Sequence, residues 1–336
     1  MVNSMKALVF TAPHTFEYRE VPRPVPEPDE VLVEVKACAV CGSDVHGSSG
    51  QNGRRIPPII MGHEASGVIV QAGRDVQGWK PGDRVTFDST EYCGRCWFCT
   101  HGMHNLCAHR RIVGVACSEY QKNGAMAQYI AVKARTLYAL PEQVSFEQGC
   151  LVEPFAVGMH AVLRSGLVSG QTAAVIGDGT IGLMTLIAAK SRGAQVCLTG
   201  HHTRPMQLAG QLGALECSQL PQLTDGRGAD VVYDAVGSQS SFAQAMELVR
   251  KGGCIMVIGN HAQNIDFPLQ RCITEQINVL FSYSSAGEYP ACLQAIAEGR
   301  ADLTGLWQSF PLQEGTQVFD RLVHRDESLT KAILIP

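Results

Sequence analysis

The first third of the chain alternates short apolar runs with turn residues, a pattern typical of a β-rich domain. Four apolar or β-branched runs predict strands: residues 7–10, 31–36, 68–70 and 84–87. Prolines at alternate positions from Pro22 to Pro28 exclude both a helix and a central strand, and predict an extended connection. Short strands separated by turns at Gly73, Gly78 and Pro81-Gly82 predict a barrel-like first domain.

From about residue 172 the pattern changes. Apolar runs predict strands at residues 173–176, 195–199, 231–236 and 255–258, and helical stretches separate them at 181–191, 205–212 and 242–249. This alternation predicts right-handed βαβ units and a parallel sheet. After residue 285 it gives way to helices at 289–299 and 315–323 and a closing strand at 331–335. The predicted fold class is α/β, with a β-rich domain and a doubly wound parallel sheet.

Composition narrows the class of protein. At about 150 residues per domain, the 336 residues correspond to roughly two domains. Hydrophobic residues make up 45% and charged residues only 17%, which excludes a disordered chain. The formal net charge of -4 offers no basic surface for nucleic acid, and no apolar run approaches the roughly 20 residues of a membrane span. Because no signal-peptide pattern starts the chain, we expect a soluble cytoplasmic protein without nucleic-acid or membrane partners.

A glycine motif follows the first strand of the predicted parallel sheet: Gly177-Asp178-Gly179-Thr180-Ile181-Gly182. A G-x-G-x-x-G sequence between a strand and a helix is a dinucleotide fingerprint. Its first glycine permits the tight turn, its second lets the backbone approach the pyrophosphate, and its third allows close packing of helix and strand. The helix N-terminus then presents free N–H groups to the phosphates. A plain glycine-rich turn is the alternative interpretation.

The residues after the second strand bear on the choice of coenzyme. An NAD site places an acidic residue about 20 positions further on, where it binds the ribose 2′-hydroxyl. No Asp or Glu occurs between Asp178 and Glu216; the strand runs instead into Gly200-His201-His202, followed by Arg204. An uncharged glycine removes repulsion, and imidazole and guanidinium groups bind a 2′-phosphate, so the sequence favours NADP over NAD. The alternative is a set of solvated loop residues and an NAD site that lacks its acid.

Two further segments are expected to contact the coenzyme. Ala235-Val236-Gly237 and Val257-Ile258-Gly259 both fall at the ends of predicted strands. Ligands of open parallel sheets bind outside the carboxyl ends of the strands. An ordinary strand-to-helix turn is the alternative for either segment.

Four of the thirteen cysteines crowd together with the spacing C-x2-C-x2-C-x7-C: Cys93, Cys96, Cys99 and Cys107. Clustered thiols in a protein without secretion signals indicate metal binding. Four thiolates close a tetrahedral shell and leave no open position, so the sequence predicts a structural zinc. An iron–sulfur cluster is the rival, but nothing else in the chain indicates electron transfer. Coincidental buried cysteines are the remaining alternative.

A second set of possible metal ligands is dispersed. Cys41, His63, Glu64 and Glu153 offer one thiolate, one imidazole and one or two carboxylates. A mixed set of three ligands with a fourth position free for water or substrate is typical of a catalytic zinc. Taken singly, each residue has a plainer interpretation: a buried thiol, a core histidine or a carboxylate at a helix start.

These motifs together resemble the zinc-dependent medium-chain alcohol and polyol dehydrogenases. They occur in the family's order over nearly the whole chain: Cys41-Gly42-Ser43-Asp44, Gly62-His63-Glu64-Ala65-Ser66-Gly67 with Gly73, the four cysteines, Leu151-Val152-Glu153-Pro154 and the glycine motif. The resemblance implies a GroES-like catalytic domain at residues 1–155 and 286–336, with a four-cysteine zinc lobe at 91–110. A Rossmann coenzyme domain at residues 156–285 interrupts it.

The resemblance also implies roles for single residues. Cys41 and His63 match catalytic zinc ligands, and Glu64 and Glu153 match carboxylates that reach the metal directly or through water, with the direct ligand left open. Glu153 stands where many simple alcohol dehydrogenases have a second cysteine, which favours the sorbitol, sugar-alcohol and sugar-acid branch. Two further residues match a proton route from the substrate, Ser43 and then His46. A helix cap and an exposed histidine are their alternatives.

The implied activity is hydride transfer between a secondary alcohol or its ketone and NAD(P), with NADP favoured. Zinc has no redox chemistry, so the electrons must leave as hydride to a nicotinamide. The implied cofactors are one catalytic and one structural zinc, and the implied assembly is a homodimer or homotetramer. Three alternatives stay open: a zinc-free NADPH quinone or enoyl reductase of the same superfamily, a non-enzymatic zinc-binding interaction protein, and a structural protein without turnover.

Overall fold

The computed structural model describes residues 4–336, so the first three residues of the predicted first domain lie outside the described residues. The chain forms two compact units, Met1–Glu153 with Trp307–Pro336, and Pro154–Leu306. The sequence predicts a return to the first domain at residue 286, whereas residues 286–306 belong to the second unit. Side-chain bonds hold this segment there: Glu288 pairs with His160 at 2.7 Å, and Arg300 donates to the carbonyl of Ser191 at 3.4 Å.

The strands, numbered along the chain, are β1 (Ser4–Ala12), β2 (Thr15–Pro22), β3 (Glu30–Ala39), β4 (Ile59–Ile60), β5 (Glu64–Ala72), β6 (Arg84–Phe87), β7 (Thr90–Glu91), β8 (Arg111–Ile112), β9 (Val115–Ala116), β10 (Gln121–Lys122), β11 (Tyr129–Lys133), β12 (Leu137–Ala139), β13 (Thr172–Ile176), β14 (Gln195–Thr199), β15 (Leu215–Glu216), β16 (Ala229–Asp234), β17 (Val249–Val257), β18 (Asn278–Phe281), β19 (Gln308–Pro311) and β20 (Ala332–Ile335). The predicted strands at 84–87 and 195–199 coincide with β6 and β14 residue for residue.

The helices are α1 (Gly42–Gly47), α2 (Trp97–Thr100), α3 (Phe146–Cys150), α4 (Val152–Ser165), α5 (Thr180–Ser191), α6 (Thr203–Gln211), α7 (Leu220–Thr224), α8 (Gln239–Leu248), α9 (Leu269–Thr274), α10 (Tyr289–Ala297) and α11 (Gly315–Val323). Among residues 4–336, no helix combines the length and the apolar character needed to cross a membrane.

The first unit is built around a seven-stranded sheet with the order β12-β6-β5-β3-β20-β19, in which β11 also pairs with β3. Strand β20 comes from the end of the chain and pairs antiparallel with β3, Ile333 opposite Ala39. The last residues therefore complete the sheet of the first unit, as the closing strand in the sequence predicts. Phe10, Ile69 and Phe87 are among the fully buried side chains of its core.

The second unit contains one parallel sheet of six strands with the order β15-β14-β13-β16-β17-β18. Numbered within the unit, this is 3-2-1-4-5-6, the order of the doubly wound dinucleotide-binding fold. The central strand β13 is buried along its whole length, as expected for a parallel strand covered on both faces. The carboxyl ends of all six strands meet at one edge, where the glycine motif follows β13. The predicted α/β fold class is confirmed.

Candidate functional site

The structure brings three of the dispersed residues of the first unit together. Ligand atoms of Cys41, His63 and Glu64 all lie within 4.8 Å of one another. The sheet causes this proximity, because β3 and β5 pair antiparallel with Ala39 opposite Glu64. Cys41 follows the end of β3 as the N-cap of α1, and His63 precedes the first residue of β5. One thiol, one imidazole and one carboxylate thus converge from two neighbouring strands.

Asp44 and Arg55 form a buried ion pair beside this cluster. The Asp44 carboxylate is fully buried, and the Arg55 guanidinium donates to its Oδ1 from Nη2 at 2.8 Å and from Nε at 3.2 Å. Oδ2 of Asp44 lies 3.6 Å from Nδ1 of His63 and accepts the backbone N–H of Cys41 at 3.4 Å. Burial alone raises the pKa of Asp44, but His63 and Arg55 outweigh it and hold that pKa below its usual value. The ionised Asp44 therefore faces Nδ1 of His63 at ion-pair distance, slightly beyond the range of a direct hydrogen bond.

A buried lysine faces Glu64. Lys331, in the segment that leads into β20, is only 3% exposed, and its Nζ lies 2.5 Å from Oε2 of Glu64. Burial alone lowers the pKa of Lys331, but the Glu64 carboxylate and the Cys41 thiol outweigh this and raise it. A cation is thus fixed beside the cluster, and it holds one oxygen of Glu64.

Glu153 lies at the start of α4 and accepts a hydrogen bond from the Ser89 hydroxyl at 3.0 Å. Burial raises the pKa of Glu153, and the neighbouring Glu64 carboxylate acts in the same direction, against the charge of His63. Glu153 is therefore a neighbour of the cluster, although its oxygens are not within the 4.8 Å that joins the other three residues.

Ser43 and His46 lie one turn apart on α1, and both are exposed. The Ser43 backbone N–H donates to Sγ of Cys41 at 3.5 Å, so the serine follows directly on the cluster. Residues three apart on a helix share one face. The two side chains therefore share the exposed face of α1.

These residues fit a catalytic zinc. Thiolate, imidazole and carboxylate are the ligand types that zinc takes in proteins, and three protein ligands leave a fourth position for substrate. A histidine ligand that faces a carboxylate through its other ring nitrogen is the usual outer-shell arrangement, and Asp44 provides that carboxylate. Cys41, His63 and Glu64 supply the donors, with Glu153 beside them.

The four cysteines of the lobe also converge. Their sulfurs lie within 4.8 Å of one another, with distances of 3.5 Å between Cys96 and Cys99, 3.9 Å between Cys96 and Cys107, and 4.0 Å between Cys93 and Cys99. Tetrahedral Zn–S bonds of about 2.3 Å keep sulfurs about 3.8 Å apart. Backbone N–H groups that point at the sulfurs lower the pKa of Cys93 and of Cys96. The lobe fits a closed four-thiolate zinc site.

The glycine motif of the second unit forms a tight turn between β13 and α5. Gly177 follows β13 with a φ of +104°, which side chains rarely adopt, and a Cβ at Gly182 would overlap the carbonyl oxygen of Gly177. Gly179 is the N-cap of α5, whose first residues Thr180 and Ile181 open the helix. The backbone N–H groups of this helix start are available to anions.

The two later segments lie at the same edge of the sheet. Asp234, the last residue of β16, accepts the backbone N–H groups of Val236 and Gly237 through Oδ1, both at 2.9 Å. Its carbonyl oxygen accepts from Ile258 at 2.8 Å and from Gly259 at 3.0 Å. Ala235 and Val257, which belong to the same two segments, sit at the ends of β16 and β17. The segments that the sequence assigns to the coenzyme are therefore joined to one another through Asp234.

The turn after β14 also lies at this edge. Gly200, His201 and His202 follow the last residue of the strand, and Arg204 stands exposed in the first turn of α6. Asp178 does not point outward with them. It is buried and accepts the backbone N–H groups of both histidines.

Several supporting residues were missed by sequence reasoning. Arg55, Ser89 and Lys331 carry no motif. The partners of Ser89 and Lys331 lie far away along the chain, whereas Arg55 reaches Asp44, 11 residues before it. Lys331 did leave a signal, since it is the single charge in the otherwise apolar final segment 331–336. Asp44 was part of a quoted motif, but its spacing alone shows neither its burial nor its bond to Arg55.

Comparisons with known proteins agree with this geometry. Residues 27–142 match the alcohol dehydrogenase GroES-like domain, and residues 180–298 match the zinc-binding dehydrogenase domain. The chain is 32% identical to the D-arabitol-phosphate dehydrogenase of Enterococcus avium, over 97% of both chains. It is 30% identical to the sorbitol dehydrogenase of Bacillus subtilis strain 168, over 99% of this chain and 98% of the relative.

A solved structure is also similar to this chain over nearly its whole length. A putative zinc-binding dehydrogenase from Sinorhizobium meliloti 1021, bound to NADP, superposes with a TM-score of 0.89. The two chains are 28% identical, and the superposition covers 99% of each. Fold and sequence relationships therefore extend over both units of the chain.

Proposed function

Because the chain belongs to the zinc-dependent medium-chain dehydrogenase family, in its polyol dehydrogenase branch, we propose that it oxidises a secondary hydroxyl of a polyol to a ketone, and reduces the ketone in reverse. The convergence of Cys41, His63 and Glu64 carries this proposal. A cluster of metal ligands with one position free suits an alcohol that a metal activates. The glycine motif of the second unit suits a dinucleotide. A zinc-free reductase would not need the metal ligands Cys41, His63 and Glu64.

In this proposal Cys41, His63 and Glu64 hold the catalytic zinc. When bound, zinc supplies a positive charge that lowers the pKa of an alcohol hydroxyl, and the nicotinamide accepts the hydride. In the proposed proton route, Ser43 accepts the hydroxyl proton of the substrate while it gives its own hydroxyl proton to His46, one turn along α1, and His46 releases a proton to solvent. Two further residues orient the metal ligands in this proposal. Asp44 faces the ring of His63, and Lys331 holds one oxygen of Glu64.

We propose a second, structural zinc in the lobe, held by the four cysteines. Its support is the sulfur geometry and the C-x2-C-x2-C-x7-C spacing. Four protein ligands leave no position for substrate, so this zinc would hold the lobe together without taking part in the reaction. Because thiols bind zinc only when reduced, the lobe also supports a cytoplasmic location.

We further propose that the protein is a homo-oligomer. Strand β18 ends the six-stranded sheet, and an edge strand offers its outer backbone groups for pairing. Phe281 of β18 is 65% exposed, and Leu269 and Ile273 of α9, the helix that leads into β18, are also exposed. A second copy seated on this edge would bury these apolar side chains.

The substrate class is tested by offering polyols, sugar acids and simple alcohols to the purified protein with NAD and with NADP. We expect formation of reduced coenzyme with polyols that carry a secondary hydroxyl, and a lower kcat/KM with simple primary alcohols. Reduction of quinones or enones without any alcohol oxidation would contradict the proposal and favour the zinc-free reductase.

The coenzyme site is tested by Gly179→Ala. Apart from Gly179 itself and its two chain neighbours, no atom of the described residues lies within 4 Å of a Cβ built at Gly179, and its φ of −72° suits alanine. Glycine is preferred over alanine at an N-cap, so we expect the free energy of unfolding to fall by no more than about 1 kcal/mol. Coenzyme affinity should fall at least about tenfold, because the new methyl group occupies the space of the pyrophosphate.

Gly210→Ala is the matched control for this variant. A Cβ at Gly210, within α6, also meets nothing within 4 Å, and alanine in a helix adds up to about 1 kcal/mol of stability. Coenzyme binding of this control should equal that of the wild type. Titration of both variants with NADPH and NADH, followed by the fluorescence of these reduced coenzymes, is decisive. Wild-type affinity in Gly179→Ala would remove the glycine motif from the site.

A further inference from the structure

Asp178, the second residue of the glycine motif, has an unusual position for a residue next to a pyrophosphate site. It is only 4% exposed, although it stands at the carboxyl edge of the sheet. Its Oδ2 accepts the backbone N–H groups of His201 at 2.8 Å and His202 at 2.6 Å, and its Oδ1 lies 2.9 Å from Nδ1 of His202. The carboxylate therefore forms hydrogen bonds with the turn after β14.

The lack of a side chain at Gly200 leaves room for this carboxylate. A Cβ at Gly200 would overlap Cβ, Cγ and Oδ2 of Asp178. With Asp178 in place, no side chain fits at position 200, including the acidic side chain that an NAD site places at the end of its second strand. The Asp178 carboxyl group fills the space in which such a side chain would begin.

The same bonds orient the imidazole of His202. Burial alone raises the pKa of Asp178, but the hydrogen bonds from His202 outweigh it and lower that pKa, so the carboxylate is ionised. An ionised carboxylate only accepts hydrogen bonds, so Nδ1 of His202 is the donor. The side chain of His202 is 50% exposed, and Nε2 is the ring nitrogen left for a ligand. His202 is also the N-cap of α6, which carries the exposed Arg204 in its first turn.

We propose that Asp178 is a positioning residue for coenzyme selectivity, which together with Gly200 replaces the strand-end acid and holds His202 ready for the 2′-phosphate of NADP. This proposal rests on the proposed function, because it assumes that the glycine motif binds a nicotinamide dinucleotide. The charge of Asp178 is matched by two N–H donors and the His202 ring, so the carboxylate faces inward and does not repel the phosphate. The half-exposed ring of His202 and the exposed guanidinium of Arg204 form the outward side of the turn.

The test compares dissociation constants for NADP and NAD, measured by titration of the full-length zinc-loaded protein. For His202→Ala we expect NADP binding to weaken about tenfold or more, the worth of one charge-assisted hydrogen bond, and NAD binding to change less than about threefold. For Asp178→Asn, which keeps the size of the side chain but not its charge, we expect the same selective loss of about tenfold. Asp225→Asn, an exposed Asp of the same unit, is the matched control and should leave both constants unchanged.

A double variant keeps the proposal falsifiable where Asp178→Asn does not fold. Asp178→Gly with Gly200→Asp removes the carboxylate, and the Cβ that a side chain at position 200 would meet, from the glycine motif, and places a carboxylate at the end of β14. We expect the ratio of NADP to NAD affinity to shift at least tenfold towards NAD.

Several results would overturn the proposal. Equal weakening of both coenzymes in Asp178→Asn would show that Asp178 acts only on the turn, and tighter NADP binding would show that it repels the phosphate. A wild-type preference for NAD would overturn this inference and leave the dehydrogenase function intact. A wild type that binds neither coenzyme would overturn the proposed function with it.

Discussion

Cys41→Ala is expected to lower kcat/KM for the best polyol substrate at least about a thousandfold, while the dissociation constant of the coenzyme stays within about twofold of the wild type. Cys41 is one of three donors whose ligand atoms lie within 4.8 Å, and its loss leaves only His63 and Glu64. A bound metal contributes several kcal/mol of charge stabilisation, and about 4 kcal/mol corresponds to a thousandfold in rate. The glycine motif lies in the other unit, so coenzyme binding is retained.

The measurement combines initial rates with the zinc content of each chain. Cys41→Ala should bind one zinc fewer than the wild type, and the four-cysteine lobe should keep its own. Cys117→Ala is the matched control, because Cys117 lies in the same unit outside both clusters. It should turn over like the wild type. Substantial activity in Cys41→Ala would remove this cysteine from the metal site.

Arg55→Met is expected to lower the free energy of unfolding by about 3–5 kcal/mol. Arg55 is 4% exposed and its partner Asp44 is fully buried, so the variant leaves a buried carboxylate without its cation. The stem of Arg55 also packs against Gly47, where no Cβ fits. Because Asp44 faces His63, we expect zinc affinity to fall about 10- to 100-fold as well, the usual effect of losing outer-shell support.

Denaturant unfolding of the zinc-loaded protein and competition with a chelator measure these two effects. Arg54→Met is the control next to it in the chain. Arg54 is exposed, so its replacement should change the unfolding free energy by no more than about 0.5 kcal/mol. A loss below about 1 kcal/mol in Arg55→Met would mean that the Asp44–Arg55 pair contributes little to the site.

Features encoded by nearby residues are predictable from the sequence. The G-x-G-x-x-G motif, strand β14 and the four-cysteine spacing each lie within a short stretch of chain, and local spacing places them correctly. The approach of Cys41 to His63 depends on the register of β3 and β5, which a sequence pattern alone does not specify. Only the order of motifs in the family predicted that these residues belong together.

Features that depend on distant partners escaped prediction. Lys331 reaches Glu64 because β20 joins the sheet beside β3, and this pairing joins opposite ends of the chain. Asp178 belongs to the predicted dinucleotide motif, but the motif alone does not show that its carboxylate accepts hydrogen bonds from the turn 200–202. The end of the second unit was placed near residue 285 because the β–α alternation stops there. The observed boundary after Leu306 depends instead on contacts such as Glu288 with His160.

We propose that this chain transfers hydride from a polyol by means of a zinc held by Cys41, His63 and Glu64. The most direct test removes zinc from the wild-type protein with a chelator and follows reduced coenzyme before and after zinc is returned, with the best polyol found for the protein. We predict that oxidation is lost on removal and recovers in proportion to the zinc that rebinds, while coenzyme binding persists throughout. Full polyol oxidation by protein free of zinc would contradict the claim.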